Sequence, residues 1–453
     1  MEKKTFHLFR GDADLLARYA DLGEADFAPA SESEKESMVE EHKSVSYWKD
    51  AWRRFRANRV SMISLFVFII LLLFAFVGPY FIGYSYDEQY RESAKLFPFE
   101  KTDSQLAAEE LLKNGADGVL VTNLLPGSQT YLKKGDYWIT GKNGKTFAFS
   151  NAKSKEKIIL VLESDADPAL WYVGQKDYLR GDWEKTPIET TDTPAEGAQE
   201  LKLTTSFFPH IFGTDSAGRD LLARCMYGAR VSLIIGIVAA LIVLIIGSVY
   251  GAVSGLAGGP VDFVMMRIVE LIYSVPDVLI VLLLQVVLKE PLQKWFDASQ
   301  GGFVKAMSDL GVGVVSIFIT FALLYWVGMA RIVRGQVLML KQQEYVTAAR
   351  ALGVSSGRIV RRHLIPNCVG QLVITTCLQI PSAIFLESFL SFLGMGVSAP
   401  MASLGSLCSD ALDVMQNYPY RMLCPAIILT ILVLSLNLVG DGIRDALDPR
   451  LKK

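Results

Sequence analysis

Three acids set within apolar runs, Glu270, Asp277 and Glu387, are the first residues in this chain whose type and position could do chemistry. Ionisable side chains at membrane depth are costly, and they mark cavities, ion paths or paired partners. Pro276 stands beside Asp277 and should bend a helix there, because proline removes a backbone hydrogen bond. Glu387 and Asp277 are therefore expected to face a water-filled path, where they could meet a solute's amino group. Structural pairing, for instance of Arg267 with Glu270, accounts for such residues equally well.

Two other stretches imitate catalytic motifs. GKNGKT (141–146) looks like a phosphate-binding loop, but the first glycine of that pattern falls on Ile139, and the surroundings suggest a hairpin. GVSSG (353–357) fits G-x-S-x-G, yet no strand precedes Ser355, and a nucleophile elbow needs a strand-to-helix turn. Cys225, Cys368, Cys377, Cys408 and Cys424 show neither CxxC nor histidine-paired spacing. A metal site or disulfide framework is thus not expected, a Cys408–Cys424 bridge being the one alternative. No basic-aromatic cluster points to nucleic acid. No catalytic residue, metal or bound cofactor is expected in this chain.

The elements that would position these residues are set by hydropathy. The 453 residues are 51% hydrophobic and only 20% charged, with mean hydropathy +0.31. A soluble domain carries about 25% charged residues. Crossing the hydrocarbon core takes about 20 mainly apolar residues in a helix. Such stretches run through about 60–82, 231–256, 264–288, 312–332, 368–393 and 422–439. Backbone groups in lipid must bond internally, and the runs are continuous rather than alternating, so helices are expected and not a barrel. In the second span Gly247, Gly251 and Gly255 stand four apart, which lets a partner helix approach closely.

Residues near the span ends give an orientation. Lys49, Arg53, Arg54, Arg56 and Arg59 precede the first span, which keeps that end cytoplasmic. Six spans then return the 333–367 segment and the C-terminal tail to the same side. Between Arg331 and His363 there are seven Lys/Arg and one acid, Glu344, while the loops 289–311 and 394–421 are poorer in basic residues. Residues 1–48 hold eleven acids against six Lys/Arg and read as a polar cytoplasmic tail, with a short helix in DADLLARYADL and no signal peptide. Residues 49–83 form the basic approach and the first span. Residues 84–207 break the apolar rhythm and should lie outside as a small α/β or β-rich domain. Its signals are a hairpin around Asn143-Gly144, a strand in KIILVLES and a short helix in AAEELLKNG. Residues 208–453 carry the remaining five spans.

EYVTAARALGVSSGRIVRRHLIPN (344–367) interrupts the greasy spans with a short basic hairpin. Tyr345, Ala348, Ala349 and Leu352 fall at i, i+3, i+4 and i+7 and make a shallow apolar face. Gly353 suits a left-handed cap, Ser355 or Ser356 an N-cap, and the second helix should stop at Pro366. A compact knob between two spans could pass force from a soluble protein into the membrane. A basic helix resting on anionic lipid is the simpler reading of the same charges.

The order of residues in this hairpin closely resembles the EAA loop of bacterial ABC importer permeases, nearest to the oligopeptide and dipeptide importers. Glu344, Ala348, Ala349, Gly353 and Pro366 fall on the motif, and Ile365 stands where leucine is usual. WRRFRANRVSMISL, FGTDSAGRDLLARCMYGARVSL, ESFLSFLGMGVSAP and NLVGDGIRDALDPRL resemble other parts of the same family, so the likeness covers residues 45–82 and about 207–453. The chain is similar to the C-type permease. That resemblance implies a type I importer permease with six transmembrane helices plus the insert. It also implies a heterodimer with a second permease, two ATPase subunits that bind ATP and Mg, and an extracytoplasmic solute-binding protein. The segment at about 340–367 would then contact an ATPase through the motif positions together with Tyr345, Arg350, Leu352 and Arg358. The large insert departs from the family's short linker, so its role does not carry over; docking of the binding protein, shielding of the entrance and a plain spacer all fit. Nickel chelates, sugars or opines are alternative cargoes. A sensor is disfavoured by six spans, and a channel by the lack of a filter-like ring.

Overall fold

The computed structural model describes residues 47–89, 93–121, 134–141, 145–151, 158–163, 170–174, 185–187, 189–298, 301–399 and 401–447. The chain forms two compact units, Met1–Asp50 and Ala51–Lys453. Of the first, only the opening turn of a helix is described, and the helix expected in DADLLARYADL lies outside the described residues.

α1 (Tyr47–Ala57) carries basic residues and stops at Asn58. Asn58 N-caps α2 (Arg59–Phe76), its side-chain oxygen accepting from the amides of Val60 at 3.1 Å and Ser61 at 3.4 Å. Gly78 and Pro79 then turn the chain into a short 3-10 helix, so the first span ends before Ile82.

In the insert, α3 (Asp103–Lys113) opens with a reciprocal cap between Thr102 and Gln105. Among the described residues seven strands follow: β1 (Ala116–Val121), β2 (Gly135–Thr140), β3 (Thr146–Asn151), β4 (Ile158–Glu163), β5 (Leu170–Gly174), β6 (Lys185–Pro187) and β7 (Gln199–Glu200). They form one sheet in the order β1-β4-β5-β6 and another in the order β3-β2-β7. β2 and β3 pair in register from Gly135↔Asn151 to Thr140↔Thr146. The turn residues Asn143 and Gly144 lie outside the described residues. Tyr137, Ile139, Phe147 and Phe149 bury one face of this hairpin.

α4 (Leu221–Ala257) has 37 residues and is about 55 Å long at 1.5 Å per residue. It outruns the expected span because Asp220 caps it ten residues early, accepting from the amide of Ala223 at 2.7 Å. The expected third span is not one helix. α5 (Gly259–Tyr273) and α6 (Asp277–Ala298) meet at an 82° bend. Pro276 cannot continue the ladder, and the Ser274 hydroxyl bonds back to the carbonyl of Leu271 at 2.8 Å. The 289–311 region, read as loop from sequence, is largely helical: α6 runs through Pro291, and α7 (Gly302–Asp309) follows.

The fourth span comprises α8 (Val312–Thr320), a π-helical turn at Phe321–Tyr325 and α9 (Trp326–Leu340). After it come α10 (Glu344–Ala351), α11 (Ser356–Ile359), a second π turn at Val360–Leu364, α12 (Ile365–Asn367) and α13 (Val369–Phe392). Pro366 therefore does not stop the second hairpin helix. The wider π turn just before it shifts the hydrogen-bond ladder, so the chain passes the proline and enters α13. α14 (Leu404–Asp410) is a short buried helix within the expected 394–421 loop, and α15 (Tyr420–Leu447) is the last span. Among the described residues, five helices are long and apolar enough to cross a membrane, six if the bent pair counts as one span.

The main core joins Val231, Ile235 and Ala239 of α4, Met329 and Val333 of α9, and Leu386 and Leu390 of α13. Gly247, Gly251 and Gly255 face α9. A methyl group on each would lie 2.6 Å from Met329 Cβ, 2.4 Å from the Ala330 carbonyl and 2.9 Å from Val337 Cγ1 respectively. The bare α4 backbone thus packs directly against the Met329 and Val337 side chains and the Ala330 carbonyl of α9.

Candidate functional site

The hairpin has an inner and an outer face. Val346, Ala349, Ile359 and Leu364 are buried and belong to the same hydrophobic cluster as α4, α9 and α13. Helical spacing places Tyr345, Ala348 and Leu352 outward; Tyr345 is 40% and Leu352 84% exposed. Ala349 thus leaves the face drawn from the i, i+3, i+4, i+7 pattern and packs inward with Val346. The sequence could not separate them, because an alanine fits either surface.

α10 closes with paired C-terminal bonds, Gly353 N–H to the Arg350 carbonyl at 2.9 Å and Val354 N–H to the Ala349 carbonyl at 3.1 Å. Gly353 sits at φ +75°, and no described residue lies within 4 Å of where its side chain would begin. Ser355 holds the N-cap position of α11 without a side-chain cap bond. The two arms are clasped by Asn367, whose amide donates to Tyr345 Oη at 3.1 Å and to the His363 carbonyl at 2.7 Å. Glu344, Arg350 and Arg358 are exposed, Pro366 lies exposed beside the clasp, and no ion pair joins these charges to other described residues.

Beside the hairpin is a latch that sequence reasoning missed. Arg334 of α9 grips Asp262 of α5 through Nε at 2.6 Å and Nη2 at 2.5 Å, and Ser254 of α4 donates to the same carboxylate at 2.5 Å. Lys341 donates to the Gly255 carbonyl at 2.8 Å. Such forked pairs hold geometry as well as charge. Asp262 and Arg334 are 72 positions apart, so no local pattern could reveal them.

The three intramembrane acids have separate surroundings. Glu387 is 0% exposed; it accepts from Ser232 at 2.8 Å, Ser388 at 3.2 Å and Ser391 at 2.7 Å. This structure encloses it between α4 and α13. Glu270 pairs with Arg267 at 2.7 Å, both more than half exposed, which is the structural pairing weighed above. Asp277 is exposed at the 82° bend and accepts from the Val278 amide at 2.9 Å. All five cysteines are free.

The end of the bundle away from the hairpin holds a second network. His210 Nδ1 lies 2.8 Å from Asp220, both buried, and Tyr84 stacks on the His210 ring at 4.3 Å. Burial pushes the Tyr84 hydroxyl well above its ordinary pKa, reinforced by the charge of Asp220, so it remains a donor, bonded to the Phe208 carbonyl at 2.6 Å. Asp215 accepts from Arg219 at 2.6 Å and Arg224 at 2.7 Å.

These features define a multi-pass helical membrane protein whose hairpin shares one core with its spans. Residues 247–453 match the family model described as binding-protein-dependent transport system inner membrane component, and residues 46–98 that of the N-terminal TM domain of oligopeptide transport permease C. The chain is 32% identical over 427 residues to the oligopeptide transport system permease protein OppC of Bacillus subtilis (strain 168), covering 94% of this chain and 97% of that one. It is 32% identical over 407 residues to the dipeptide transport system permease protein DppC of Lactococcus lactis subsp. cremoris (strain MG1363), covering 90% and 92%. A solved structure of the MetNI methionine ABC transporter in an inward-facing conformation is similar at 18% identity and TM-score 0.36, over 50% of this chain and 96% of that one, which is too slight to carry weight. The chain belongs to the family of binding-protein-dependent transport system inner membrane components. It is a membrane transport subunit, not an enzyme.

Proposed function

We propose that this chain is the C-type permease of an ATP-driven peptide importer. It pairs with a second permease, and the Glu344–Asn367 hairpin seats in one of two ATPase subunits that bind ATP and Mg. Both termini lie in the cytoplasm of a bacterial inner membrane protein. The 84–207 insert lies outside, where an extracytoplasmic binding protein delivers oligopeptides or dipeptides. The names and extents of the relatives support the cargo class, and the positive residues near span ends support the orientation.

One observation carries the coupling role: the hairpin's inner face is continuous with the main hydrophobic core, while its outer face is apolar, shallow and uncovered by the described residues. A load applied to Tyr345, Ala348 and Leu352 passes directly into α4, α9 and α13. Gly353→Val tests it. A left-handed backbone costs a residue with a side chain about 1–2 kcal/mol, here with no clashing neighbour among the described residues, so the distortion stays in the hairpin. The complex is expected to assemble while uptake falls at least about tenfold, the size of one important contact. Normal uptake by this variant would remove the coupling assignment.

A further inference from the structure

Where α4 begins, α13 ends and α15 begins lies a cavity of about 690 Å³. Clefts of roughly 300–1,000 Å³ hold small solutes. Its walls carry Arg219, Arg224 and Arg421 together with Asp215, Asp410 and Asp413.

The charges are unevenly paired. Asp215 takes both Arg219 and Arg224, and Arg224 also reaches Asp410 at 3.3 Å. Arg421 is only 3% exposed, yet no carboxylate pairs with it among the described residues. Its Nη1 donates to Ser216 Oγ at 3.0 Å, its Nε to Tyr420 Oη at 3.4 Å, and its buried Nη2 has no partner among the described residues. The rings of Tyr418 and Tyr420 flank the guanidinium at 4.4 and 5.8 Å. Hydroxyls and ring faces hold the group in place but only partly offset the loss of its hydration, and a carboxylate would complete it. Opposite in character are Asp410, 54% exposed, and Asp413, exposed and without an ion pair among the described residues. The cavity therefore presents one buried, under-compensated cation and two accessible anions.

We propose that this cavity is a solute-binding site on the permease itself, taking a small zwitterion whose carboxylate meets Arg421 and whose ammonium meets Asp410 and Asp413. It rests on the peptide-importer reading, since a short peptide carries these two charges at its ends. At this site the permease reads the terminal charges of what it receives.

The test uses the whole reconstituted complex with its binding protein, each peptide at saturating concentration, and reads uptake of trialanine relative to its C-terminal amide. Arg421→Gln is expected to lower that ratio about tenfold, the loss of one charged hydrogen bond. Arg421→Lys, which keeps the charge, should recover part of it. Equal losses for both peptides would assign Arg421 a structural role and overturn the proposal, as would an unmoved ratio. Should Arg421→Gln fail to assemble, the exposed pair Asp410→Asn and Asp413→Asn decides instead. Uptake of trialanine relative to N-acetyl-trialanine must then fall, and an unchanged ratio overturns the site. A wild-type complex that carries no peptide sinks the peptide reading and the site together, whereas peptide transport with unmoved ratios sinks the site alone.

Discussion

At the hairpin end of the bundle, Glu344, Arg350 and Arg358 lie exposed with no ion pair among the described residues. At the far end, Arg224 is 4% exposed and tied to Asp215 and Asp410. Exposed charges keep their hydration and can re-pair with whatever arrives, so they suit a surface that is engaged and released. Buried pairs have lost their hydration, and each partner now depends on the other. One end leaves its charges hydrated, and the other ties most of them into its fold.

The contrast can be broken first where it is most strongly built. Asp215→Ala leaves Arg224 with only its 3.3 Å contact to Asp410, and removing one partner of a buried pair costs about 3–5 kcal/mol. Thermal unfolding of the purified complex should show the loss; an unaltered transition would mean that the network is ornamental. Next comes the ladder between the ends. Gly251→Ala drives a methyl group to 2.4 Å from the Ala330 carbonyl, and overpacking of this kind costs about 1–3 kcal/mol. The same unfolding measurement checks it, and a stable variant would show that α4 and α9 can part easily.

At the hairpin the effect should appear in function alone. Leu352→Ala removes an 84% exposed side chain, so stability should stay within about 0.5 kcal/mol. Transport per ATP hydrolysed should nevertheless drop; if stability falls instead, the outer face is not free. The gentlest probe compares thiols. Burial pushes the Cys408 thiol up to about 11, leaving little thiolate at neutral pH, whereas Leu352→Cys is exposed. Maleimide should label the hairpin cysteine quickly and Cys408 hardly at all, and comparable rates would erase the distinction between the two ends.

Much of the helical frame could be read from the chain, because hydropathy acts over twenty residues and needs no partner. Gly353 could be read too, since a left-handed cap is a local demand. Pro276 announced a bend but not its 82° extent, which depends on how α6 packs against α8, where Gln285 and Ser316 are hydrogen-bonded. The π turns before Pro366 and within the fourth span had no sequence signal. Ala349 faced the wrong way on paper because its small side chain satisfies either environment. The Asp262–Arg334 latch and the Arg224–Asp410 contact join residues 72 and 186 positions apart, and only the assembled fold brings them together.

The glycine ladder has a mechanical consequence. Because Gly247, Gly251 and Gly255 leave the α4 main chain bare against Met329, Ala330 and Val337 of α9, these helices have little room in which to slide past each other. Slippage by one turn would push a notch off its seat and drive a bulky neighbour against bare backbone. A load on either helix is therefore shared by both, which move as a single rod with no clutch to waste the stroke.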